Sequence, residues 1–195
     1  MNALRILALL ALSGCCRPGL SSQVPVALRA QEAQNWCWAA SGQMVMETLH
    51  HGTNQCSQVN ARLGVSDCAC NGCNGGSVSA ECDATGWPQF DRYGFTARHT
   101  TNEALTWDQL RSQVSNGPSC KNRPFAFTWR WEGGGWYRRV SKGVDWVDGE
   151  RFVSVVDPWA PCAGDELIVS YDYYVAEPGD HSHWDDYYDV EYVGP

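Results

Sequence analysis

The chain has 195 residues, of which 44% are apolar, and its formal net charge is −8. That length and apolar content suit one globular domain with a substantial core rather than two small ones. Acidic residues dominate after Asp145, so the sequence lacks the basic patch that binds nucleic acid or an anionic membrane surface, and we expect no nucleic-acid partner.

The N-terminus has the pattern of an export signal. Arg5 precedes seven apolar residues at 6–12, a run that is too short to span a bilayer. Residues 12–15 are Leu-Ser-Gly-Cys, which resembles the bacterial lipobox, and this resemblance implies that Cys15 carries a lipid. An ordinary secretory signal that is cleaved nearby is the alternative.

These signals predict the organisation of the chain. We expect a signal peptide over 1–14, a tether over 15–30, and one domain over 31–195 with a Cys-rich loop at 56–82. The mature protein would then be an extracytoplasmic monomer, held on a bacterial membrane, on its periplasmic or outer face, through its lipid anchor alone.

Ten cysteines are present, and export to an oxidising compartment favours disulfides over free thiols. With Cys15 assigned to the lipid and Cys37 to chemistry, eight remain. That even number is compatible with up to four bridges, but their pairing cannot be deduced from sequence. Cys16 lies beside the anchor, and we expect it to stay unpaired.

Four cysteines within the loop have a spacing that could also hold zinc. They are Cys68, Cys70, Cys73 and Cys82. Because metal clusters of this kind are more typical of reducing compartments, we predict disulfides here, and neither a metal nor another cofactor.

The first clear helix is predicted to begin at Cys37. Apolar residues recur behind it at helical spacing, at Trp38, Val45, Met46 and Leu49. A second helix is predicted to begin after Thr106, because Thr106 and Gln109 form the pattern of a capping box, and to end at 116–117. In the loop between them, only residues 59–63 indicate a short helix.

The later part of the chain is predicted to be mostly β-strand. Residues 124–131 alternate between apolar and polar, and strands at 136–146 and 150–156 flank a turn at Val147-Asp-Gly149, which predicts a hairpin. Residues 167–171 add another strand. Helices first and antiparallel strands later predict an α+β domain, in which the N-terminal helix packs on a C-terminal antiparallel β-sheet.

Cys37 is the strongest candidate for a nucleophile. A thiol at a helix N-terminus is close to unpaired backbone N–H groups and to the positive end of the helix dipole, which favour the thiolate. Gln31, six residues earlier, could direct a side-chain N–H at the oxygen of a tetrahedral intermediate, where one such donor contributes about 3 kcal/mol. The alternative is that Cys37 is a buried structural cysteine.

Several segments together resemble one protein family. They are Gln31, Trp36-Cys-Trp-Ala-Ala40, Thr106-Trp-Asp-Gln-Leu110, Arg123-Pro-Phe125, the glycine turn at 133–135 and Val156-Asp-Pro-Trp159. The family is a small bacterial branch of the papain-like cysteine peptidases, which includes secreted effector proteases of plant pathogens and is related to the bacteriocin-leader peptidases. The resemblance implies a papain-like fold, and covers nearly all of residues 31–175.

The resemblance also implies a catalytic triad in the order Cys, His, Asp or Asn. Cys37 matches the nucleophile, Gln31 the oxyanion hole, and Asp157 the residue that orients the base. Asp157 could instead be a turn former before Pro158. Family members place the His directly after the glycine turn, where this chain has Trp136.

The absence of a His at this position has two possible explanations, which are that another His acts as the base or that the sequence contains a short frame error. Arg138 or Arg139 could favour ionisation of Cys37, but an arginine cannot return a proton to a leaving amine. His183, with carboxylates nearby in sequence, is a possible substitute base. A short reading-frame error near Trp136 would also account for the departure from the family pattern.

Three functions follow as hypotheses. The first is a papain-like cysteine peptidase, anchored as a lipoprotein, that hydrolyses peptide bonds through an acyl-enzyme. The second is a catalytically silent pseudopeptidase that binds a peptide or protein in the same cleft. The third, a disulfide-braced envelope protein with no ligand, leaves the spacing of Gln31 and Cys37 unexplained. The many Trp and Tyr residues could line a peptide cleft, although core packing is their commoner use.

Overall fold

The computed structural model describes residues 16–69 and 72–194. The predictions for residues 1–15, including the lipid on Cys15, and for Cys70 lie outside the described residues. Helices in the described part are α1 (Cys37–Thr48), α2 (Gln55–Leu63), α3 (Trp107–Val114) and α4 (Tyr171–Val175). Its strands are β1 (Ser22–Gln23), β2 (Phe95–His99), β3 (Phe125–Trp131), β4 (Trp136–Val147), β5 (Glu150–Asp157), β6 (Asp165–Ser170), β7 (Ala176–Glu177) and β8 (His181–Tyr192).

The strands form one antiparallel sheet, in the order β2-β8-β3-β4-β5-β6, with β1 paired to β4 and β7 to β8. Helix α1 packs on β4 and β3, and its buried residues, such as Met44 and Val45, join the core with Phe127 and Val140. The predicted fold class, an α+β domain with the N-terminal helix on a C-terminal antiparallel sheet, is confirmed.

The β4–β5 hairpin was predicted and brings two charged residues together. Asp148 and Gly149 both have positive φ, at 53° and 89°, as a two-residue type I′ turn requires. A register shift between Ser141 and Gly143 then pairs Val140 with Val156, so that Arg139 comes opposite Asp157 at the far end of the hairpin.

Hydrogen bonds from capping residues set where α2 and α3 begin. Thr106 and Gln109 form the predicted capping box at the start of α3. Helix α2 is longer than the predicted 59–63, because the Asn54 side chain accepts a hydrogen bond from the Ser57 N–H and so starts the helix earlier.

Strand β8 was not predicted as a strand. It lies between β2 and β3, in the interior of the sheet, and its buried side chains include the polar residues His183, Asp185 and Asp186. Because these side chains are polar, the alternating apolar pattern that predicts a strand is absent there.

Disulfides brace the loops around the sheet. The bridges are Cys16–Cys120, Cys68–Cys82 and Cys73–Cys162, and Cys56 is also disulfide-bonded. The expectation that Cys16 stays unpaired is therefore wrong. Three of the four cysteines considered for zinc are in disulfides, and no group of three or more metal-binding side chains occurs within 16–69 and 72–194.

Residues 16–30, predicted as part of a tether, are instead held against the domain. Strand β1 pairs with β4, Val24 and Val26 are buried in the core, and the Cys16–Cys120 bridge fixes the start of the segment. In the part of the chain that the structure describes, no helix has both the length and the apolar character needed to cross a membrane.

Candidate active site

Cys37 is the first residue of α1, and its thiol is the free one among the described cysteines. Two indoles fix this end of the helix to the Cys-rich loop. Trp36 donates from Nε1 to the Cys82 carbonyl at 2.8 Å, and Trp38 donates to the Ala84 carbonyl at 3.0 Å. The thiol is thus held at the tip of a rigid helix, 9% exposed.

Cys37 lines a cleft of about 700 Å³. One wall comes from residues 85–87 of the loop after Cys82, and another from the start of β4. Six indoles surround the cleft: Trp38, Trp87, Trp131, Trp136, Trp159 and Trp184. By contrast, Trp129 and Tyr174 are buried in the core, so the aromatic residues divide between cleft lining and core packing.

Asp157 forms a buried ion pair with Arg139. Its Oδ2 accepts a hydrogen bond from Arg139 Nε at 2.7 Å, both side chains are buried, and Oδ1 accepts from the Trp159 N–H at 2.9 Å. The Arg139 guanidinium also lies 4.5 Å from the Trp129 ring centre and 4.8 Å from that of Tyr137. Burial raises the pKa of Asp157, and the adjacent Arg139 charge offsets only part of that rise. The carboxyl expected to orient a base therefore binds Arg139.

Tyr137, on β4, interacts electrostatically with both Cys37 and Asp157. Its hydroxyl donates to Gln31 Oε1, and its pKa is raised, first by burial and then by the charges of Asp157 and Cys37. Trp136, predicted at the position of the His, lies at the rim of the cleft, 58% exposed, with its ring edge against Trp184. Since side chains alternate along a strand, Tyr137 and Trp136 point to opposite sides of β4.

Gln31 is fully buried, and its amide is used inside the protein. Its Nε2 donates to the Ala33 carbonyl at 2.8 Å and to the Gln34 carbonyl at 2.7 Å. Both side-chain N–H groups are therefore satisfied by the main chain, which differs from the oxyanion-hole role that the resemblance implied. The Gln31 backbone instead holds the segment after β5, through hydrogen bonds with Pro158 and Cys162.

The surroundings of the Cys37 thiol disfavour its thiolate form. Burial raises its pKa, and this outweighs the backbone N–H groups of Arg138 and Trp38 and the charges of Arg138 and Arg139, all of which lower it. Both arginines considered from the sequence thus act on the thiol. Together they do not bring its pKa below that of an ordinary cysteine.

The histidines of the chain lie elsewhere, and all five fall within the described residues. The Nε2 of His183 contacts Asp186 Oδ2 at 3.0 Å, its Nδ1 contacts the Tyr174 carbonyl at 3.0 Å, and its ring stacks near Phe127 in the core. Neither His183 nor any other histidine lines the cleft. His183 therefore belongs to the sheet interior and does not lie in the cleft, where a substitute base would be needed.

Comparison with known proteins identifies a family. A family model described as "Papain-like cysteine protease AvrRpt2" matches residues 20–174. The chain belongs to this family. A solved structure, a double glycine motif protease from an AMS/PCAT transporter in complex with the leader peptide, is 17% identical, with a TM-score of 0.47 over 86% of this chain and 93% of that chain. No curated protein matches.

Proposed function

We propose that this member of the papain-like protease family binds peptides in the Cys37 cleft without hydrolysing them. The observation that carries the proposal is the ion pair between Asp157 and Arg139, which occupies the carboxylate that would orient a base. A guanidinium has no acceptor atom and does not take a proton from a thiol or return one to an amine. Amide hydrolysis needs both transfers.

Three further features support binding without turnover. The pKa of the Cys37 thiol is raised, both N–H groups of the Gln31 amide are occupied, and no histidine of the described chain lines the cleft. The cleft itself has the size and the aromatic lining of a peptide site. An active peptidase is the second candidate, favoured by the free thiol of Cys37 at the tip of α1 and by the family.

Restoring an imidazole tests the proposal. The double variant Tyr137→His/Arg139→Val puts an imidazole at a β4 position that interacts with both Cys37 and Asp157, and frees the carboxylate to orient it. We expect the parent protein to react with a papain-type epoxide only at alkaline pH, and the double variant to be labelled at Cys37 near neutral pH. Cleavage of a denatured protein should rise by about 10²-fold or more, the usual contribution of general acid–base catalysis.

Trp136→His is the matched control, because this rim position does not contact Asp157, and it should leave both readouts at the parent level. The proposal is overturned if the parent cleaves the denatured protein at neutral pH and Cys37→Ala abolishes that cleavage. Intact-mass spectrometry after labelling reports on the thiol separately from turnover.

We also propose that the protein is an exported lipoprotein anchored through Cys15. Residues 12–15 support the lipid, and the bridges Cys16–Cys120, Cys68–Cys82 and Cys73–Cys162 suit an oxidising compartment. In a bacterial host, Cys15→Ser is expected to move the protein from the membrane to the soluble fraction and to abolish labelling by an alkyne fatty acid. Cys16→Ser, which removes the neighbouring cysteine and its bridge to Cys120, should leave both unchanged. Equal membrane recovery of the two variants would contradict the anchor.

A further inference from the structure

The cleft carries positive charge in a protein whose net charge is −8. Its lining includes Arg62, Arg138 and Arg139 and no Asp or Glu. Arg138 lies 3.5 Å from Asp185, and Arg139 is paired with Asp157. Within residues 16–69 and 72–194, Arg62 has no carboxylate partner, so its charge is available to a ligand.

The Arg62 guanidinium is held in a fixed orientation. It lies 4.5 Å from the ring centre of Trp87 and 5.7 Å from that of Trp38. Its Nε and Nη2 both donate to the Thr85 carbonyl, at 3.1 and 2.8 Å. One edge of the planar fork is thereby used, and the other edge, between Nη1 and Nη2, keeps two N–H groups without an acceptor among the described residues.

The neighbouring loop is shaped around this side chain. A Cβ atom on Gly86 would lie 2.8 Å from Arg62 Nε and 2.6 Å from the Trp38 ring, closer than real Cβ contacts. Only glycine therefore lets the loop approach both groups. The Gly86 carbonyl also accepts a hydrogen bond from Arg138, which ties this wall of the cleft to β4.

We propose that Arg62 binds a carboxylate of the peptide ligand, an inference that rests on the proposed function. The free edge presents two parallel N–H groups, which match the two oxygens of a carboxylate. The flanking indoles hold the planar fork in place and shield it partly from water, which strengthens the ion pair. The carboxylate comes either from the C-terminus of the peptide or from an Asp or Glu side chain.

Randomised octapeptide pools test the inference and separate the two sources. Immobilised parent protein is incubated with a pool that ends in a free acid and with the same pool ending in an amide, and retained peptides are sequenced by mass spectrometry. Recognition of a C-terminus predicts at least tenfold greater recovery of the acid pool. Recognition of a side chain predicts Asp or Glu enrichment at one position in both pools.

Arg62→Gln should abolish either enrichment, and Arg62→Lys, which keeps the charge but loses the fork, should reduce it. Arg92→Gln, at an exposed arginine outside the cleft, is the matched control and should behave like the parent. Peptides retained without acid enrichment overturn the role of Arg62 and leave peptide binding intact. If the parent retains no more peptide than an inert protein, the proposed function itself fails.

Discussion

Replacing Arg139 with alanine is expected to lower the free energy of unfolding by about 3–5 kcal/mol. The substitution leaves Asp157 buried without its partner, and breaking a buried ion pair from one side typically costs this much. It also removes the guanidinium from the faces of Trp129 and Tyr137. Urea unfolding, followed by tryptophan fluorescence and by far-UV circular dichroism, measures the loss.

The double variant Arg139→Ala/Asp157→Ala is the control. Because it leaves no unpaired charge, it should be more stable than Arg139→Ala alone, although it loses the same contacts with the aromatic rings. Arg130→Ala, at an exposed position of β3, should change the stability by less than about 1 kcal/mol. A cost below about 1 kcal/mol for Arg139→Ala would show that Asp157 does not depend on this ion pair.

Much of the fold follows from local signals. The helix beginning at Cys37, the capping box of Thr106 and Gln109, and the hairpin turn at 147–149 each depend on residues that are close in sequence. Each signal specifies one element regardless of the rest of the chain. The family resemblance then places these elements in a single α+β arrangement, which the family match supports.

The site was harder to predict because it depends on strand register. With the turn at 148–149 and no irregularity, Asp157 would face Val140 across the hairpin. The shift near Lys142 moves the pairing by one residue and places Arg139 opposite Asp157. Gly143 interrupts the strand pattern at this point, as a glycine at a bulge does, but it does not by itself give the resulting register. The same limit applies at the start of β4, where the motif suggested Trp136, whereas the side chains that interact with Asp157 are those of Tyr137 and Arg139.

Strand β8 was missed for a different physical reason. Several of its buried side chains are polar, and some of their hydrogen-bond partners are far away in the chain. Asp186 accepts hydrogen bonds from the Leu105 N–H at 2.8 Å and from the Tyr174 hydroxyl, and its Oδ2 lies 3.0 Å from His183 Nε2. Without knowledge of these partners, an acidic stretch near the C-terminus does not indicate an interior strand.

Asp186→Ala is expected to lower the free energy of unfolding by about 3–5 kcal/mol. The side chain is fully buried, and its removal leaves a backbone N–H, a tyrosine hydroxyl and His183 without their acceptor. The loss should be greatest in β8 and β3, because these paired strands hold the network inside the sheet. Urea unfolding gives the overall loss, and hydrogen exchange shows whether these two strands lose protection first.

The pH dependence distinguishes this network from simple packing. Burial lowers the pKa of His183, but the charge of Asp186 and the hydrogen bonds to Asp186 and Tyr174 outweigh it, so the net pKa is raised. The folded protein therefore favours protonated His183, and the associated stability is fully present below the ordinary histidine pKa of about 6.5 and is lost as the pH rises through the raised pKa. Asp186→Asn keeps the shape but removes the charge. Its loss of unfolding free energy relative to the parent should be larger at pH 6 than at pH 9. A loss that is constant over this range would mean that His183 is neutral in the folded protein and that the network acts through hydrogen bonds alone.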